Sequence, residues 1–246
     1  MNENKIKIIK KYGFIAFISI VIIISILLMV RYQVEGETNM PFELEQIVIK
    51  STIYSKSRNS ENTWDVELAQ NNDIYIYIKE NENYKKDETI KSVTLEKTSM
   101  GRENKIGTLS ILLPTSNDIK TAYANSEVNY LNKTIEYTGN SIDNMEKQDI
   151  CQKGGVVAFR IANSNIGEFV SNEGTELRYD GTLLQKANIN EQDLKLEMDM
   201  DLIIETTSGK KYKTTITLEL PPEDFGGNGV INKTITDFSD VVFKRE

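Results

Sequence analysis

The sequence contains no histidine. Ser-His-Asp and Cys-His enzymes use an imidazole as the general base, and histidine is also the commonest metal ligand among side chains. Its absence excludes these nucleophilic systems, histidine metal sites and histidine proton relays. The remaining residue types predict no catalytic residue, no metal site and no cofactor.

Carboxylates are the next candidates for chemistry. Glu197, Asp199 and Asp201 alternate with apolar residues, so they share one face of a predicted strand at a spacing of about 7 Å. Such a row would bind Ca²⁺ if loop oxygens completed the ligand set, but the sequence has no calcium loop of the DxDxDG type. The favoured interpretation is a solvated strand face. A hydrolase that uses a carboxylate pair is kept as the enzymatic alternative, because glycosidases need only two such groups.

Cys151 is the only cysteine, so the chain forms no intrachain disulfide. A lysine close in sequence, Lys153, is a feature of reactive thiols. Because the chain offers no histidine base, the favoured interpretation is an ordinary small residue.

Aromatic residues supply the candidate binding site, which consists of Trp64, Tyr75 and Tyr77, with Tyr84 nearby in the sequence. Aromatic side chains are large and rigid, and they serve well as anchors for a protein or a sugar. The alternative is packing against a neighbouring strand. Tyr75 and Tyr77 alternate with three isoleucines, Ile74, Ile76 and Ile78. If the isoleucine face is buried, both tyrosines face outward.

The elements that carry these residues follow an apolar segment. Residues 12–30 contain no charged side chain, and as a helix they extend about 28 Å, close to the hydrocarbon thickness of a bilayer. We predict a cytoplasmic tail at 1–11, a transmembrane helix at 12–30 and a connector at 31–41.

The charges around this segment set its orientation. Lysines precede it, at Lys5, Lys7, Lys10 and Lys11. Basic residues stay in the cytoplasm, so the C-terminal part is expected outside the cell membrane. A cleaved signal peptide is the alternative, but it would have a shorter apolar region and a small-residue cleavage site, which residues 28–32 do not offer.

The part beyond the helix is acidic. The whole chain carries a formal charge of −8, and residues 32–246 alone carry −12, because five basic residues and one acidic residue precede them. Nucleic acids and anionic lipid surfaces attract basic proteins. Nucleic acid is therefore not expected as a partner.

Alternation of apolar and polar residues predicts an all-β ectodomain. The strongest case is a hairpin that pairs the strand at 194–202 with the strand at 212–220 through a turn at Gly209. Residues 156–161 are apolar at most positions, which is typical of a strand buried on both faces. We expect two β-rich halves at 42–140 and 150–246. They would form one antiparallel β-sandwich or two Ig-like subdomains.

The layout resembles uncharacterised single-pass membrane-anchored proteins of low-GC Gram-positive bacteria. The resemblance lies in the N-terminal anchor, the Met-Pro-Phe start of the ectodomain at 40–42 and the Asp-Gly-Thr-Leu-Leu segment at 180–184. It implies a location in the cell envelope and no particular activity. The sequence therefore favours a non-enzymatic, membrane-anchored protein that binds a protein or cell-wall partner.

Overall fold

The computed structural model describes residues 3–38, 40–60, 63–115, 128–171 and 182–246. These residues form a mostly β protein with two sheets, preceded by one long helix near the N-terminus. The predicted fold class is confirmed at this level.

The N-terminal helix, α1, spans Glu3–Thr38. Its Lys11–Val30 segment is long and apolar enough to cross a membrane, and its side chains are exposed. The predicted connector at 31–41 is thus helical as far as Thr38. Gly36 alone does not end a helix, since a glycine costs only about 1 kcal/mol, and Pro41 restricts mainly the residue before it.

Eleven strands follow in the described part of the chain. Their bounds are β1 Phe42–Ser60, β2 Thr63–Glu80, β3 Ile90–Arg102, β4 Thr108–Leu112, β5 Ile135–Asn140, β6 Asp149–Cys151, β7 Gly154–Ser171, β8 Leu196–Thr206, β9 Lys211–Leu220, β10 Val230–Ile235 and β11 Lys244–Arg245. A short helix, α2, occupies Thr182–Lys186, and single 3-10 turns occupy Ile142–Asn144 and Glu191–Asp193.

The first sheet has the strand order β10-β1-β2-β7-β4, and the second has the order β11-β9-β8-β3-β5-β6. The β5–β6 pair is parallel, whereas the other described pairs are antiparallel. Each sheet contains strands from both 42–140 and 150–246. The two β-rich halves therefore share both sheets.

The predicted hairpin is confirmed. Leu196 in β8 lies opposite Leu220 in β9, and Met198 lies opposite Leu218. Gly209 has a φ of 82° in the connecting turn, a conformation that glycine adopts without steric cost.

Alternation along the strands produces a main core to which both sheets contribute. It contains side chains such as Ile49, Ile76 and Phe159 from the first sheet and Val93, Met198 and Leu218 from the second. A second group, the distal cluster, lies beyond it along β1, β2 and β7. The distal cluster consists of Ile53, Val66, Leu68, Ile166, Leu183, Leu184, Leu194, Phe225 and Ile231.

One strand differs from its predicted burial. Val157, Phe159 and Ile161 in β7 are fully buried, but Val156 on the other face is 38% exposed. Over residues 156–161 the strand therefore buries one face only. Its apolar outer residues lie on the surface of the first sheet.

Candidate binding surface

Tyr75 and Tyr77 lie on the outer face of β2, the central strand of the first sheet. The isoleucines between and beside them are buried, at 0–2% exposure, whereas both tyrosines are partly exposed. The predicted orientation of this strand is confirmed. The two phenol rings are neighbours on one surface, since residues two apart in a strand point to the same side.

Strand register places aliphatic side chains beside both tyrosines. Tyr75 lies between Val48 of β1 and Ala158 of β7. Tyr77 lies between the polar Gln46 of β1 and the aliphatic Val156 of β7. We call these five residues the tyrosine surface: Val48, Tyr75, Tyr77, Val156 and Ala158. It carries no charge, in contrast to the acidic composition of the chain.

An ion pair borders the tyrosine surface. Arg160 donates to Asp73 through Nε at 2.6 Å and through one terminal nitrogen at 3.0 Å. Both side chains are largely shielded from water. Burial raises the pKa of Tyr75, the negative charge of Asp73 raises it further, and Arg160 opposes the shift. Tyr75 is therefore a neutral hydrogen-bonding phenol at physiological pH.

Trp64 does not join this surface. It occupies an even-numbered position of β2, on the same face as the buried Val66 and Leu68, and it packs against the distal cluster. Trp64 precedes Tyr75 by eleven positions, which corresponds to about 36 Å along a strand. The structure therefore brings together two of the three residues predicted from the sequence and places the third on the opposite face.

Tyr84 belongs to a separate network. Its hydroxyl accepts a hydrogen bond from Lys210 Nζ at 3.1 Å, and Lys210 also pairs with the buried Glu88 at 3.0 Å. Burial alone would raise the pKa of Glu88, but hydrogen bonds from Ser208 and Lys210 outweigh it, and the pKa is lowered. This network ties the turn between β8 and β9 to the loop before β3, which is a structural role.

The carboxylates of β8 have partners of their own. Asp199 accepts hydrogen bonds from Ser99 at 2.5 Å and Thr217 at 2.7 Å. Asp201 is 6% exposed and pairs with Lys213 at 2.7 Å. Within the described residues, no group of three or more aspartate, glutamate or cysteine side chains is arranged to hold a metal ion. Asp201 departs from the expected solvated face, because neighbouring strands cover it.

The carboxyl groups with a clearly shifted pKa in the described chain all shift downward: Glu88, Asp199, Glu205 and Asp237. A general acid in a hydrolase needs the opposite shift, so that it holds a proton near neutral pH. None of these four groups has that property. They consequently give no support to a carboxylate-pair hydrolase.

Cys151 lies at the end of β6 and is partly exposed. Its sulfur lies 3.7 Å from the sulfur of Met145. Contact with a thioether supplies no base and no positive charge, so it does not activate the thiol.

The aliphatic members of the tyrosine surface were missed by sequence reasoning. Val48 occurs in β1, whereas Val156 and Ala158 occur in β7, and only strand register shows that they flank the tyrosines of β2. The one available signal was the apolar character of residues 156–161, which predicted burial on both faces instead of an apolar outer face.

Comparisons of the chain with protein-family models, curated proteins and solved structures found no match. The fold defines a mostly β protein with two sheets and one apolar helix able to associate with a membrane.

Proposed function

We propose that this chain is a membrane-anchored, non-enzymatic binding protein whose tyrosine surface holds a protein partner outside the cell. In this proposal α1 is an uncleaved anchor with its lysine-rich start in the cytoplasm. The two sheets form a β-sandwich ectodomain with one shared core. The observation that carries the proposal is the uncharged aromatic and aliphatic patch in the middle of the first sheet.

Burial and charge favour a protein over a glycan as the partner. The cores of protein interfaces are depleted in charge and enriched in tyrosine, and polar groups surround them. The tyrosine surface matches this pattern, with the Asp73–Arg160 pair at its border. A sugar would stack on freely exposed ring faces, whereas both tyrosines are only partly exposed.

Binding is tested with Tyr75→Ala combined with Tyr77→Ala, compared with the unchanged protein. We expect the double variant to fold, because both side chains lie outside the core, and to lose the specific partner in a pull-down from envelope extracts. Truncation of such anchors commonly costs about 2 kcal/mol or more of binding free energy, roughly a thirtyfold loss of affinity.

Tyr54→Ala is the matched control. Tyr54 is 41% exposed and lies on the outer face of β1, as Val48 does, but farther along the strand and away from the tyrosine surface. It should retain the partner. If the double variant unfolds, the two tyrosines belong to the core. If it folds and binds the partner as before, the interface lies elsewhere. If the double variant loses only its retention on purified cell wall, the ligand is a glycan and not a protein.

Topology has its own test. Protease added to intact, wall-stripped cells should degrade residues 40–246 and leave the N-terminal lysines protected. Full protection of the β domain would contradict the proposed orientation. A mature chain that begins after residue 30 would make α1 a signal sequence.

A further inference from the structure

Along the long strands of the first sheet, the buried side chains change from apolar to polar between the main core and the distal cluster. On the inner face of β1, Ile49 belongs to the main core and Ile53 to the distal cluster. The position between them is polar, and β2 and β7 show the same interruption. The residues of this polar belt are Ser51, Gln70, Asn72 and Asn163, each with 0% exposure.

The hydrogen bonds of the belt have a fixed direction. Asn72 Nδ2 donates to the carbonyl oxygen of Ile161 at 3.2 Å, which determines how its amide points. Its Oδ1 therefore accepts from Ser51 Oγ at 2.6 Å and from Gln70 Nε2 at 3.2 Å. Gln70 Oε1 must then point away from Asn72. It has no hydrogen-bond partner in the described part of the chain.

The side chain of Asn163 also has one buried oxygen without a donor in the described chain. Its Nδ2 donates to the carbonyl oxygen of Ile106 at 3.0 Å, and its Oδ1 has no partner among the described residues. Gln70 and Asn163 lie directly opposite each other on β2 and β7. Two buried carbonyl oxygens thus lose water on folding without gaining a donor, a cost that opening to solvent would recover.

The backbone is irregular at the same level. Leu68 pairs with Gly167, whereas Gln70 pairs with Asn163, so two steps along β2 match four along β7. Asn165, inside this bulge, has a φ of 57°. Bulges interrupt the ladder and bend the strand. The continuity of β7 is therefore weakest where the side-chain packing is polar.

We propose that the polar belt is a conformational joint, at which the distal cluster opens as a separate cooperative unit while the main core stays folded. Opening hydrates the oxygens of Gln70 and Asn163 and exposes apolar residues such as Ile53 and Phe225. Cooperative units with unequal opening free energies are common within single domains, and their boundaries fall where apolar contacts are few.

Hydrogen exchange on the full chain in detergent micelles tests the joint. Backbone amides of the distal cluster, such as those of Ile53 and Leu68, should exchange at least about tenfold faster than those of Ile49 and Ile76. They should also share one denaturant dependence, because a unit opens as a whole. Equal protection on both sides of the belt, or a gradual decline towards the strand ends, would overturn the proposal.

A single substitution tests the cause. Gln70→Met removes the unpaired oxygen together with the 3.2 Å hydrogen bond from Nε2 to Asn72, keeps the side-chain length and leaves the Ser51–Asn72–Ile161 hydrogen bonds in place. We expect distal exchange to slow by about tenfold while exchange in the main core is unchanged. Gln185→Met makes the same chemical change at an exposed position of α2 and should have no effect. Faster or unchanged distal exchange in Gln70→Met, or an equal response to Gln185→Met, would overturn the joint. If Gln70→Met does not fold, the exchange pattern of the unchanged protein still decides.

Discussion

Strands β2 and β8 are built on the same alternation and have opposite outer faces. Both lie inside their sheets, and both bury their inner residues in the main core, including Ile76 from β2 and Met198 from β8. On the outer face, β2 presents Tyr75 and Tyr77, whereas β8 presents acidic residues.

The neighbouring strands explain the difference. Beside β8, they supply hydroxyl and ammonium groups, so that Asp199 pairs with Thr217 and Asp201 pairs with Lys213. Beside β2, they supply the aliphatic side chains of the tyrosine surface. The outer face of β8 is thus satisfied within the molecule, whereas that of β2 retains apolar area and phenol groups. Such an apolar patch is typical of an interaction site.

The largest effect is expected from charge placed on an inner face. Met198→Asp should cost about 4 kcal/mol or more of unfolding free energy, because it buries an unpaired carboxylate in the main core. Ile76→Asp should have a similar cost on β2. Urea unfolding of the full chain in micelles measures both. A small effect for either variant would show that its strand faces are assigned wrongly.

An intermediate effect is expected for Asp201→Asn. This change replaces a charged acceptor that is shielded from water and weakens its contacts with Lys213 and Thr215. We expect a loss of about 1–3 kcal/mol. Glu197→Gln, on the same face of β8 but partly exposed, is the matched control and should change stability by less than about 0.5 kcal/mol. Equal losses would mean that the outer face of β8 is uniformly buried.

The outer face of β8 should contribute to the loss of stability in acid, alongside Glu88, whose pKa is also lowered. A hydrogen bond from Lys91 lowers the pKa of Glu205, and hydrogen bonds from Ser99 and Thr217 lower that of Asp199. The associated stability is therefore present above the ordinary carboxyl range, near pH 4 to 5, and is lost as the pH falls through the folded-state pKa. Glu205→Gln should flatten the acid limb of a plot of unfolding free energy against pH.

The outer face of β2 should contribute to the loss of stability in alkali, alongside other groups whose pKa is raised, such as Tyr137 at about 12. The pKa of Tyr75 is raised by burial, so its contribution is present below the ordinary phenol value, near pH 10, and is lost as the pH rises through the folded-state pKa. Tyr75→Phe should flatten the alkaline limb and leave the acid limb unchanged. If Tyr75→Phe changed the acid limb and Glu205→Gln changed the alkaline limb, the contrast between the outer faces of β2 and β8 would be refuted.

The smallest effect is expected for Asp199→Asn at neutral pH. Ser99 and Thr217 can rotate their hydroxyl groups to pair with an amide, so the loss should stay below about 0.5 kcal/mol. Thermal unfolding beside Met198→Asp provides the measurement. Comparable shifts in Tm for the two variants would remove the distinction between inner and outer positions.

Local patterns in the sequence predicted several features correctly. The run at 12–30 indicated a membrane-length helix, and the alternations at 74–79 and 194–202 indicated which side chains are buried, except at Asp201. The turn at Gly209 followed from backbone chemistry. These predictions succeed because helix length and strand periodicity depend on residues that are close together in the chain.

Features that depend on residues distant in sequence could not be predicted. The packing of Trp64 against the distal cluster joins segments far apart in the chain, and the polar belt exists only because three strands are aligned. The sharing of both sheets by 42–140 and 150–246 also depends on strand pairing.

The sequence by itself determined the apolar helix, the strand-rich chain, the outward direction of Tyr75 and Tyr77, and the absence of histidine chemistry. The tertiary structure alone decided which side chains lie beside those tyrosines and which carboxylates are paired. The physical reason is register: a pattern of period two tells which face a residue occupies, but only the alignment of neighbouring strands tells what it contacts.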